Sequence, residues 1–260
     1  MRRAVRPEGI MRHDSNHSKW FIQAKPRICS EYTVGVKQLA AKTLLGLTNL
    51  LMFAALALFG PAWTLRYWQA WLYLLVFGAA TLIITIDLWR RDPALLARRV
   101  KGGPIAEARK SQQSIQAFSS AAFLALLIVP SLDHRFGWSR VPLAFVLASD
   151  LLVALGFYIV FAVFRVNTFT ASTVEVAENQ TVVSTGPYAI VRHPMYGGAL
   201  VILLATPPAL GSWWGLLAFL PMLAAIAVRL IDEERLLCAT LSGYAEYAAR
   251  VRHRLLPFVW

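Results

Sequence analysis

Four apolar stretches, at about 43 to 63, 69 to 89, 115 to 131 and 141 to 164, constrain this chain more than any other feature of it. At about 1.5 Å of helical rise per residue, each can cross most or all of a hydrocarbon layer about 30 Å thick. Backbone amides in lipid have no water to bond, so segments of this kind fold as helices that satisfy themselves. A fifth apolar region, 196 to 231, is broken by "TPPALGSWWG", whose prolines and glycines end a helix and turn the chain. It reads as a helical hairpin with arms 196 to 210 and 213 to 231. The first arm is about 23 Å long by the same rise, short of a full crossing. The expected fold is all-α, an integral multi-pass membrane protein with about six membrane helices, the last two forming the hairpin.

Charge orders the topology. Of the 26 lysines and arginines, nine fall in residues 1–42, seven in 90–114, two in 165–195 and five in 229–260, which leaves only Arg66, Arg135 and Arg140 for the alternate loops. Short cytoplasmic segments carry such an excess, so both termini are expected in the cytosol and the number of crossings is even. The net charge of +12 is thereby assigned to a membrane face, and no nucleic-acid partner is expected of a chain that is 57% hydrophobic. Residues 1–42 hold nine basic and three acidic groups and no apolar run. They read as a partly disordered cytosolic arm, with Trp20, Phe21 and Ile22 as possible contacts to anionic lipid. The organisation expected is therefore this arm, four transmembrane helices over 43–164, and a chemically active region over 165–260. The two cysteines, Cys29 and Cys238, are far apart and imply neither a disulfide nor a metal site.

Chemistry concentrates in two polar stretches assigned to the cytosol, "TGPYAIVRHPMYGG" at 185 to 198 and the tail from Arg229 to Trp260. An antiparallel hairpin returns its ends to one face, which brings the "RHPMY" turn close to the "DEE" cluster about forty residues later. One composite pocket at the cytosolic interface follows. Pro194 biases His193 away from helical geometry and exposes its ring. Glu233 lies four residues after Arg229, the spacing of an ordinary helical ion pair, so Glu234 is the carboxylate left for a ligand. Tyr244 and Tyr247 are either interface anchors or pocket residues. Asp150, and more mildly Asp87 and Asn49, are polar groups within the apolar segments and read as interhelical or headgroup contacts.

"TGPYAIVRHPMYGG", "DEERLL" about thirty-five residues later, and "YAEYAARV" followed by "LLP" together resemble the isoprenylcysteine carboxyl methyltransferase family, membrane enzymes related to the phospholipid methyltransferases. The resemblance covers roughly residues 165 to 260. It implies transfer of a methyl group from S-adenosyl-L-methionine to a lipophilic or membrane-associated substrate, with carboxyl methylation foremost. It also implies Arg192 and Arg250 as cationic groups at the reaction, Tyr188, His193, Pro194, Tyr196, Glu233 and Glu234 around the donor, and Tyr244, Tyr247 and Arg254 around the acceptor. The donor's own chemistry asks for such groups: its carboxylate for cations, its ammonium for a carboxylate, its sulfonium for aromatic faces. No glycine-rich dinucleotide fingerprint follows a strand, so the donor site has to be built from membrane helices and their loops. No metal constellation is present. Phospholipid N-methylation, small-thiol S-methylation, an NADPH-dependent sterol-type reductase and a non-catalytic relative are the alternatives that the residues leave open, and the oligomeric state is open as well.

Overall fold

In the computed structural model, the residues described are 26–100, 110–170, 180–255, 257 and 260, with side chains from residue 38 onward. The chain divides into two units, Met1–Leu45 and Gly46–Trp260. The helices in chain order are α1 (Pro26–Ala62), α2 (Trp68–Arg91), α3 (Pro93–Val100), α4 (Lys110–Phe136), α5 (Leu143–Val166), α6 (Pro194–Ala209), α7 (Gly215–Thr240) and α8 (Tyr244–Arg250). No strand occurs among the described residues, and the fold is all-α as expected. α1 begins at Pro26 and so takes in part of the basic arm, while Trp20, Phe21 and Ile22 lie outside the described residues. α3 is an element the sequence reading did not foresee, because only eight residues with two arginines in the last turn carry no membrane-length signal.

Among the described residues five helices are long and apolar enough to cross a membrane: Gln38–Ala62, α2, α4, α5 and α7. Their outward faces carry Leu75, Ile83, Leu151, Leu155, Leu217 and Leu220, all exposed, as lipid-facing helices require. α6 has 16 residues, about 24 Å by helical rise, and falls short of that length. Its two ends nevertheless meet the two ends of α5. Gly198, near its start, packs on Gly156, Ile159 and Val160 in the second half of α5, whereas Trp213, just past its end, meets Phe145 at the start of α5 with ring centroids 5.7 Å apart. α6 therefore runs antiparallel to α5 from one end of the bundle to the other.

The turn of the hairpin is fastened to the other loops of that end. Tyr67 donates its hydroxyl to the Leu210 carbonyl at 2.6 Å and stacks on His134 at 4.0 Å between centroids. Asp133, 1% exposed, accepts from Ser139 N and Oγ at 2.6 Å each and from Ser212 Oγ at 2.5 Å. Gly211 makes the turn possible with φ of +76°, a left-handed conformation that a side chain disfavours. Arg66 and Arg140 lie in the loops gathered here and Arg135 in the last turn of α4, the same three basic residues that the charge pattern had set apart.

Close approach of α5 and α6 depends on two glycines. A Cβ at Gly156 would stand 2.6 Å from Ile202 Cγ1 and 2.7 Å from the Gly198 carbonyl, and one at Gly198 would stand 2.9 Å from the Gly156 carbonyl. Small residues let membrane helices bring their backbones together, and here they set the height at which α6 begins. Asp87 is paired across helices with Arg165 at 3.0 Å, and Asn49 is exposed. Asp150 is different: it is 5% exposed, and neither carboxylate oxygen has a hydrogen-bond partner among the described residues.

Candidate active site

α7 runs past the apolar arm foreseen for it and ends only at Thr240, so "DEERLL" continues the same helix. Neighbouring residues on a helix point about 100° apart, and Glu233 and Glu234 accordingly face different surroundings. Arg229, Glu233, Leu236 and Leu237 share the face that lines a cavity of about 470 Å³. Glu233 accepts from the Tyr196 hydroxyl at 2.5 Å, and Arg229 bonds to the same hydroxyl at 3.2 Å and to Gln116 Oε1 at 2.6 Å. Glu234 instead faces the chain's C-terminal tail.

The tail is held by the turn that opens α6. Pro194 occupies the first helical position, and His193 before it has φ −126° and ψ 61°, non-helical as proline demands of its predecessor. This leaves the amides of Arg192 and His193 free to bond the carbonyls of His253 and Arg254, each at 2.9 Å, while the amides of Arg254 and Leu255 bond the Trp260 carbonyl. Glu234 locks the junction. Its Oε1 is 3.0 Å from Arg192 Nε and 3.8 Å from His193 Nε2, and its Oε2 accepts from Arg254 Nε at 2.7 Å. The sequence expectation for the two carboxylates is thus exchanged: Glu233 faces the cavity and Glu234 braces the structure beside it.

Gly243, with φ of +80°, turns the chain from α7 into α8, and α8 lays two tyrosines against the cavity. Tyr244 and Tyr247 are 4% and 1% exposed, too enclosed for interface anchors. Tyr244 Oη lies 3.5 Å from His193 Nε2, and Tyr247 donates to the Tyr188 carbonyl at 2.8 Å. Tyr188 Oη accepts from Asn167 Nδ2 at 2.8 Å. Burial pushes the Tyr188 phenol up to about 12, with Glu233 adding to the rise and the Asn167 bond opposing it. Burial likewise holds Tyr244 and Tyr247 above the ordinary phenol range. All three are neutral hydrogen-bonding groups at physiological pH, not bases.

Of the residues expected at the site, Tyr188, Arg192, His193, Tyr196, Glu233, Tyr244 and Tyr247 line this one cavity. Pro194 is buried behind it as the start of α6. Arg254 and Glu234 line a separate shallow groove on the far side of Arg192, and Arg254 also covers the Trp260 ring at 5.4 Å. Arg250 is exposed on the last turn of α8 and is not among the lining residues. The sequence reading missed Arg99 of α3, Gln116 of α4, Asn167 and the segment 180–183, all of which line the cavity. Arg99 had been counted only as one basic residue of a cytosolic segment. Gln116, at the polar start of an apolar helix, carried no motif at all. Among the described residues no group of three or more histidine, cysteine or acidic side chains is placed to hold a metal.

Residues 144–241 match the family model of the phospholipid methyltransferases, to which the isoprenylcysteine carboxyl methyltransferases are related. The matched span runs from α5 to the end of α7 and contains the "RHPMY" turn and both glutamates, but not α8 or the tail. No curated protein matches the chain. Membrane methyltransferase activity is the function that this match supports.

Proposed function

We propose that the protein transfers the methyl group of S-adenosyl-L-methionine to an amphiphilic acceptor in the membrane, foremost a carboxylate. The observation that carries this reading is the convergence, in one cavity of about 470 Å³, of Arg192 and Arg229, the Glu233 carboxylate and four tyrosines. The volume lies within the roughly 300–1,000 Å³ of ligand pockets. The lining suits the donor: Glu233 can pair with its ammonium, Arg192 with its carboxylate, and the faces of Tyr188, Tyr244 and Tyr247 with sulfonium and adenine. The bound donor supplies an electrophilic methyl on a positively charged sulfur.

Positioning and exclusion of water are what remains for the protein to do. A carboxylate acceptor forms its new carbon–oxygen bond as the carbon–sulfur bond breaks, the electron pair stays on sulfur, and a methyl ester and a neutral thioether result. No proton moves, so no general base is required. The neutral tyrosines fit that chemistry, since they orient by donating hydrogen bonds without adding charge. An amine acceptor would have to lose a proton, for which Glu233 is the cavity's carboxylate.

The test is transfer from methyl-labelled donor to three membrane acceptors, an isoprenylcysteine carboxylate, an ethanolamine phospholipid and an alkyl thiol, in lipid discs. Base-labile label released as methanol identifies the ester and is the expected result. Label stable to base in the phospholipid or the thiol would shift the acceptor class, and none above the empty-disc background would refute transfer to these acceptors.

Orientation is part of the proposal, because a soluble donor has to reach the site from the cytosol. In a variant lacking the native cysteines, Ile190→Cys is expected to react with an impermeant thiol reagent from the cytosolic side and Trp214→Cys from the opposite side. Both side chains are exposed, at 59% and 53%, so accessibility itself does not limit labelling. The reverse pattern refutes the cytosolic site.

A further inference from the structure

Arg229 and Glu233 stand one helical turn apart on α7, a spacing that invites a direct ion pair, yet the Tyr196 hydroxyl is bonded to both of them. An arginine only donates and a carboxylate only accepts, so the order of these bonds is fixed. Arg229 Nε donates to Tyr196 Oη at 3.2 Å, and the single phenolic proton goes on to Glu233 Oε2 at 2.5 Å. At that oxygen the carboxylate is met by a neutral phenol. Held in this way, it keeps its attraction for a cation, which a carboxylate closed on a guanidinium largely loses.

The pull on Arg229 comes from α4. Ala122 and Leu126 of α4 share one buried cluster with Ala218, Met222 and Ile226 of α7, so the two helices lie side by side. Toward the cavity the same seam turns polar. Gln112, 0% exposed, donates to Asp232, and Gln116, one turn further along α4, accepts from Arg229 Nη1 at 2.6 Å. Partners four residues apart on α4 thus meet partners three apart on α7 in the reverse order, and this antiparallel register sets Gln116 opposite Arg229. Gln116, Arg229, Tyr196 and Glu233 form a chain of hydrogen bonds across α4, α7 and α6, and all four line the cavity.

We propose that Gln116 is a positioning residue for donor binding: by accepting from Arg229 it keeps the guanidinium from closing on Glu233, and so holds that carboxylate for the ammonium of the donor's amino acid end. The role does not depend on Gln116 being the guanidinium's sole anchor. Gln116 lies outside residues 144–241, the span matched by the family model. The proposal rests on the methyl-transfer reading, in which Glu233 pairs with the donor's ammonium.

The test is calorimetry on the full chain purified in maltoside, with empty micelles as blank, using S-adenosylhomocysteine and its analogue with hydrogen in place of the α-amino group. The parent should bind S-adenosylhomocysteine at least about tenfold more tightly than the analogue, the worth of one charge-assisted hydrogen bond. Gln116→Met should weaken S-adenosylhomocysteine by about fivefold or more and leave the analogue within about twofold, because only the ammonium depends on Glu233. A merely structural role would weaken both compounds. In a Glu233→Gln background, Gln116→Met should cost less than about a further twofold, since it acts through that carboxylate. Gln116→Glu keeps an acceptor oxygen for Arg229 and should hold S-adenosylhomocysteine affinity within about threefold of the parent or better. Should the methionine variant fail to fold, Gln116→Asn, still polar but one methylene short, carries the same expectation. Equal loss of both compounds in Gln116→Met, unchanged S-adenosylhomocysteine affinity there, additive loss with Glu233→Gln, or a Gln116→Glu as weak as the methionine variant would overturn the proposal. So would equal binding of the two compounds by the parent, since Glu233 would then not hold the ammonium. No binding of S-adenosylhomocysteine by the parent would refute the donor reading itself, and the proposal with it, by a measurement that involves no variant of Gln116.

Discussion

Glu234→Gln is expected to cost about 3 kcal/mol of stability and to release the C-terminal tail, although Glu234 does not line the cavity. The substitution removes the one carboxylate that Arg192, His193 and Arg254 share. Breaking a buried ion pair leaves uncompensated charge, which costs roughly 3–5 kcal/mol; the lower figure applies because the Arg254 side chain keeps about a third of its exposure (35%) and so part of its hydration. Arg192 and His193 sit on the cavity wall, so donor affinity should fall with stability. Glu233→Gln makes the contrast. It removes the cavity's own carboxylate and should weaken donor binding by about tenfold or more, leaving the unfolding midpoint near that of the parent. Equal effects of the two substitutions on midpoint and affinity would contradict the exchange of roles between them.

The second large effect is expected far from any polar group. Gly156→Ala should destabilise the protein by about 2–3 kcal/mol, because the added methyl meets the Gly198 carbonyl at 2.7 Å as well as the flexible Ile202 side chain, and a backbone carbonyl cannot turn aside. α6 would have to move off α5. Met195, Tyr196 and Ala199 line the cavity from the first turns of α6, so methyl transfer should drop with it. Gly46→Ala is the comparison, since no atom lies within 4 Å of the added carbon and stability should change little or rise slightly. Retention of parental stability and activity in Gly156→Ala would show that the two helices are not held as closely as described.

The membrane helices were legible because length and hydropathy are one-dimensional properties, and the observed bounds of α2, α4 and α5 fall within about five residues of those expected. The short arm of the hairpin was harder to judge, since its placement depends on packing against α5 and not on its own length. Most of the site was legible through its motif. What the motif could not convey was direction: adjacent glutamates look equivalent in a string, and only the orientation of α7 decides that Glu233 enters the cavity while Glu234 meets the tail. The spacing of Glu233 four residues from Arg229 suggested an ordinary helical ion pair, and it could not tell that both residues meet the Tyr196 hydroxyl at the cavity. Arg99 and Gln116 were illegible for a different reason. They reach the cavity from helices earlier in the chain, and nothing local marks a long-range neighbour.

The claim that a donor of the S-adenosylmethionine type occupies the cavity is tested most directly by calorimetric titration of the detergent-purified protein with S-adenosylmethionine, S-adenosylhomocysteine and NADPH, with Arg192→Ala alongside. Binding of both methyl-cycle compounds, lost or at least about tenfold weaker in Arg192→Ala, is the predicted result. Binding of NADPH alone, or of none of the three, would contradict it.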